Sequence, residues 1–176
     1  MSRSIQKLID EQIKRWEMDQ KAFLPAQKSV SVITISREAG SQGQAIARAL
    51  CEKTGFSLFH NEIVQAMVEA SKNSRMLLET LDERGMNVVE DLVSNFVNER
   101  HLWPDEYSRL LYQVLSTIGS HGRAVILGRG AGCVQGWPEV LKVRIVTPVR
   151  ARREFIHHSQ DLNDEDAERY QESQDA

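Results

Sequence analysis

Cysteine is scarce in this chain: two thiols in 176 residues, Cys51 and Cys133, with no CxxC pair and no metal-ligand spacing. That scarcity excludes a disulfide framework and a cysteine-based zinc site. Cys51, beside Leu50 in a helical pattern, reads as a buried structural thiol. A reducing, cytoplasmic setting is the expectation. No stretch reaches the roughly 18–20 apolar residues of a membrane span, and the N-terminus lacks a signal-peptide core, so no membrane partner is expected. Charge of one sign is also missing. Lys and Arg number 22 against 25 Asp and Glu, a net charge of −3, which gives no overall pull toward nucleic acid. The histidines His60, His101, His121, His157 and His158 have no metal-ligand spacing, so no protein-held metal is expected. Trp16, Trp103 and Trp137 lie too far apart to form a stacking stripe for bases.

What remains is an ordinary globular composition, 41% hydrophobic and 27% charged, in a length that suits one domain with a sizeable core. Ile5, Leu8, Ile9, Ile13 and Trp16 recur in steps of three and four. They predict an amphipathic helix within residues 1–28, followed by a linker. This arm is expected to dock on the domain or to make a homo-oligomer. Residues 29–36, SVSVITIS, are β-branched and apolar and predict a buried strand. A turn at residues 40–43 and a helix carrying Ile46 and Leu50 follow, with Gly55 as its C-cap. Phe56–Phe59 predicts a short second strand. Residues 61–121 predict helices throughout, with Asn87 and Glu90 resembling a capping box. Ala124–Leu127 predicts a central parallel strand. Leu141–Val146, with Lys142 and Arg144 alternating, predicts a half-exposed one. The last residues, 161–176, are polar and acidic and lack an apolar face for an independent helix. Alternating strands and helices imply an α/β fold: a parallel sheet with helices on both faces.

Three places carry candidate chemistry. The first is the strand–turn–helix SREAGSQGQAIA. Such a turn aims backbone N–H groups and the positive end of a helix at an anion, and small residues admit a phosphate. Arg37, Gly40, Ser41, Gln42, Gly43, Gln44 and Ala45 are the candidate phosphate-binding residues; a plain connecting turn is the alternative. The motif GxxxxGK[ST] is absent. Aligned on the helix start, its lysine position falls on Gly43 and its metal-binding hydroxyl position on Ala45, with Arg37 and Ser41 as partial substitutes. The second place is AVILGRGAG, where Arg129 follows a strand at the edge where open α/β sheets bind ligands. Arg129 is either a bidentate phosphate ligand or an ordinary surface arginine. The third is the basic run Arg150, Arg152, Arg153. Arg152 and Arg153 are candidates to neutralise a transferring phosphoryl group; a solvated charged face is the alternative.

VITISREAGSQGQAIARAL, TGFSLFHNEIV, GRAVILGRGAGCV and LKVRIVTPVRAR, taken in order over residues 29–155, resemble the cytidylate-kinase-like family. The resemblance implies a P-loop nucleoside-monophosphate-kinase-like fold over residues 29–160, with 61–121 as the helical acceptor-binding part and 161–176 as a partial lid or polar tail. The chain reads as C-terminally shortened against that pattern. It departs from the family at Gln42, which replaces a glycine, and at Gly130 and His60, which each stand where an aspartate is usual. The resemblance implies transfer of the γ-phosphoryl group of ATP, with Mg2+, to a cytidylate-like nucleotide or similar small acceptor. A nucleotide-binding module without turnover, or a structural partner-binding protein using the N-terminal helix, are the competing expectations.

Overall fold

Two periodicities organise the chain: alternation in the strands and a 3.6-residue repeat in the helices that cover them. The computed structural model describes residues 5–21, 31–71, 79, 81, 86–91, 93–94, 106–134, 137 and 139–175. The elements are α1 (Ile5–Lys21), β1 (Val32–Arg37), α2 (Gly43–Thr54), β2 (Ser57–Phe59), α3 (Asn61–Ser71), α4 (Glu106–His121), β3 (Ala124–Leu127), β4 (Val140–Ile145), α5 (Val149–Gln160) and α6 (Asp164–Asp175). Residues 86–91 and 93–94 are also helical.

The strands form one all-parallel sheet in the order β2-β3-β1-β4. Val32 stands opposite Ala124 of β3 and Val140 of β4. Alternate residues face opposite layers. Val32, Phe59, Ala124 and Ile126 pack with α1, α3 and α4, while Ile33, Ile35, Val125 and Leu127 pack with Ala47, Leu50 and Cys51 of α2. The sheet therefore carries helices on both faces, as the alternating pattern implied. β3 spans the AVIL run and is interior. β4 is an edge strand whose Lys142 and Arg144 are exposed while Val143 and Ile145 are partly covered.

The N-terminal stripe is used within the chain. Ile9, Ile13 and Trp16 are buried, and the Trp16 ring stacks on Phe59 and on His121, with centroids 6.0 Å and 4.1 Å apart. Gly55 takes the left-handed conformation (φ 71°) and donates to Cys51 O at 2.8 Å, closing α2 as a C-cap glycine should.

One reading is corrected: residue 86 is already helical, so Asn87 lies inside that helix and is not its cap. The acidic C-terminal stretch, which has no apolar face for an independent helix, folds as the helix Asp164–Asp175 with Ala167 and Gln171 buried. Its stability comes from its partner, α5, and not from an apolar face of its own. Arg153 pairs with Glu168 at 2.6 Å, and Arg152 makes two bonds to Asp175 at 2.8 and 2.7 Å. Leu77, Leu78, Gly85, Leu92, Phe96, Val97, Trp103, Pro104 and the linker to Lys28 lie outside the described residues.

Candidate functional site

All four strands end on the same side, because the sheet is parallel. Just beyond those ends lies a cleft of about 1060 Å³. Arg37 closes β1, Leu127 closes β3, His60 follows β2, and Arg144 is the penultimate residue of β4; all four line the cleft. The turn between β1 and α2 forms its floor. Gln42 is the N-cap residue of α2, in a left-handed conformation (φ 57°), and no side chain caps the helix. By helix geometry the first N–H groups of α2 have no acceptor within the helix, and they carry the positive end of its dipole. Ser41 is buried and donates its hydroxyl to Glu38 O at 2.6 Å, which fixes the turn.

The predicted phosphate-binding residues Arg37, Gly40, Ser41, Gln42, Gly43, Gln44 and Ala45 are brought together here, and all line the cleft. Arg129 does not. It sits beyond β3 at φ 55°, and its Nη2 donates to Gln65 Oε1 of α3 at 3.2 Å, where Tyr107 Oη of α4 also donates, at 2.7 Å. Its Nε is buried with no hydrogen bond.

Arg152 lies behind the turn. Its side chain is buried: Nη1 donates to Ala39 O at 3.3 Å, Nε lies 3.5 Å from Glu38 Oε2, and both terminal nitrogens hold Asp175. The same Glu38 Oε2 accepts from Thr147 N at 3.3 Å. Turn, α5 and α6 are thus joined through one guanidinium, and the β4–α5 loop joins them through the Glu38 carboxylate. Arg153 faces Glu168 and is not among the residues lining the cleft.

Several lining residues were not singled out from sequence: Arg48, Asn61, Glu62, Tyr170, Gln174 and Asp175. Arg48 had a signal, since it follows Gln44 by four residues and shares its helix face. Tyr170, Gln174 and Asp175 had none, because only the docking of α6 on α5 brings them there.

The Arg152 hydrogen bond holds the Asp175 carboxyl below the usual carboxylate range. A depressed folded-state value means that the pair stabilises the fold above the ordinary aspartate pKa of about 3.9, and that this stability fades as pH falls through the lowered value. Asp175→Asn should therefore melt below the wild type at pH 7, and the gap should close as pH falls below about 4. A gap that stays constant from pH 7 to pH 2 in thermal melts would contradict the ionic origin of the contact.

No helix among the described residues is long and apolar enough to cross a membrane. Nor do three or more His, Cys, Asp or Glu among them gather as a metal-holding group. A model of the cytidylate kinase-like family matches residues 32–176 of the sequence. Among solved structures, the chain is similar to the crystal structure of an uncharacterized protein from Eubacterium ventriosum ATCC 27560. Identity is 16% and the TM-score 0.61, over 84% of this chain and 74% of that one. That likeness is one of fold. No curated protein matches the chain.

Proposed function

This chain belongs to the cytidylate kinase-like family, and we propose on that premise that it seats the phosphates of ATP or another nucleoside triphosphate at the N-terminus of α2. It passes the γ-phosphoryl group to a nucleotide or similar small acceptor. The observation that carries this reading is the uncapped N-terminus of α2 opening into the cleft at the carboxyl ends of a parallel sheet. Phosphoryl transfer needs positioning and charge stabilisation more than covalent chemistry, so a site of backbone donors and arginines suits it.

Mg2+ would arrive with the triphosphate, neutralising charge on its oxygens. Glu38 and Asp175 are engaged with Arg152, so Glu62 is the cleft carboxylate open to the ion. Arg129, held beside Gln65 and Tyr107, is the proposed ligand of the acceptor phosphate. Arg152 and Arg153 are the proposed charges for the transferring group, and each must leave a carboxylate to act.

That commitment of Arg152 and Arg153, together with Gly43 at the lysine position and Ala45 at the hydroxyl position, favours a second reading, nucleotide binding without turnover. Thermal shift against nucleotides with Mg2+ tests what both readings share. A ligand at about 100 times its dissociation constant should add about 2.7 kcal/mol of stability. No shift with any nucleoside triphosphate would remove both. A coupled assay over the common monophosphates then separates them, turnover supporting the first and stabilisation without turnover the second.

A further inference from the structure

Gly43 and Gly128 stand on different elements, yet both crowd the same side chain. A Cβ on Gly43 would lie 2.8 Å from Arg37 Cγ and 3.0 Å from its Cβ, and a Cβ on Gly128 would overlap Arg37 Nη1. The Arg37 stem therefore crosses the first residue of α2, and its guanidinium rests on the backbone at the end of β3. The two glycines clear a channel for it.

Among the described residues the guanidinium also has no counter-charge. Arg144 lies 4.0 Å from Glu38, Arg150 pairs with Glu154, Arg152 with Asp175 and Arg153 with Glu168. Among the described residues no carboxylate pairs with Arg37, which is exposed to the cleft. A cation beside the positive end of a helix raises the local potential, and no carboxylate among the described residues is paired with it to offset that. An anion in the cleft would relieve both.

We infer that Arg37 is the principal cation for the nucleotide's phosphates, delivered from the strand side of the turn in place of a lysine on the helix. Gly43 is glycine because the Arg37 stem fills the room that a side chain there would need. Gly128 has a left-handed backbone (φ 79°) that favours glycine in any case, and the guanidinium lying on it leaves no room for a Cβ as well. Gly43 has no positive φ, so its backbone accepts a side chain once Arg37 is gone. The lost lysine and the free arginine are then one exchange. This assignment rests on the reading of the turn as a phosphate seat.

The test is titration of ATP–Mg2+ and of inorganic tripolyphosphate into the full chain and its variants. Arg37→Ala should weaken both probes at least about tenfold, the loss expected of one charge-assisted contact, with an unchanged melting temperature. Adding Gly43→Lys to Arg37→Ala should recover most of that loss by moving the cation to the helix. Gly128→Ala should weaken binding in the wild-type background and add nothing in Arg37→Ala. If the wild type binds and Arg37→Ala binds equally well, the assignment fails while the phosphate seat stands. An equal Gly128→Ala loss in both backgrounds would refute the channel. If the wild type binds neither probe, seat and assignment fall together.

Discussion

Gly40→Ala should destabilise the protein by about 2–5 kcal/mol, the sum of a conformational and a packing cost. Gly40 has φ 77°, in the left-handed region that costs a residue with a Cβ about 1–2 kcal/mol. It is also crowded: an added Cβ would lie 2.6 Å from the carbonyl oxygen of Arg152 and 3.0 Å from two atoms of the buried Ile156. A backbone oxygen in a helix cannot step aside as a flexible side chain can. The turn would have to part from α5, and overpacking of this kind costs about 1–3 kcal/mol. Gly130→Ala is the control, because Gly130 shares the left-handed backbone (φ 67°) with nothing near its missing Cβ. It should cost only the conformational part, about 1–2 kcal/mol. Denaturant unfolding of both variants checks this. Equal losses would mean that the turn does not bear on α5.

The second large effect is expected at the other end of the chain. Trp16→Ala should cost about 3–5 kcal/mol, the range for deleting a buried large aromatic. Trp16 is only 4% exposed, and it fills the space between Phe59 at the end of β2 and His121 at the end of α4. No helix or backbone movement within α1 alone can close that gap, because Ile9 and Ile13 fix the helix on the same core. Urea unfolding measures the loss. A change below about 1 kcal/mol would mean that α1 is only loosely docked, since large core deletions cost several times that.

What the sequence made legible was local. The AVIL run became β3 because only a strand buried on both faces tolerates four consecutive apolar residues there. Lys142 and Arg144 announced an edge strand because their side chains need water. Gly55 announced the end of α2 because a left-handed C-cap favours glycine. The turn at residues 40–45 was legible as a strand-to-helix connection of small residues.

What stayed hidden depends on contacts far apart in sequence. The helix Asp164–Asp175 has an acidic, polar sequence, and it folds against α5 through ion pairs spanning 23 residues in one case. No periodicity in the segment itself encodes that. Nothing in the AVILGRGAG run signals that Gly128 lies against Arg37, a residue from another strand. Arg152 stood out as a basic residue after a proline. Its burial between Glu38 and Asp175 follows only from the docking of two helices on the turn.

If the N-terminus of α2 seats phosphates, calorimetric titration of ATP–Mg2+ into the wild type and into Gly43→Asp will show it. The substitution puts a carboxylate at the first residue of α2, beside the Arg37 stem, where the phosphates would lie. The wild type should bind saturably at one site and the variant not at all, with the variant still folded by circular dichroism. Equal affinity in the two proteins would mean that the phosphates do not lie at the start of α2.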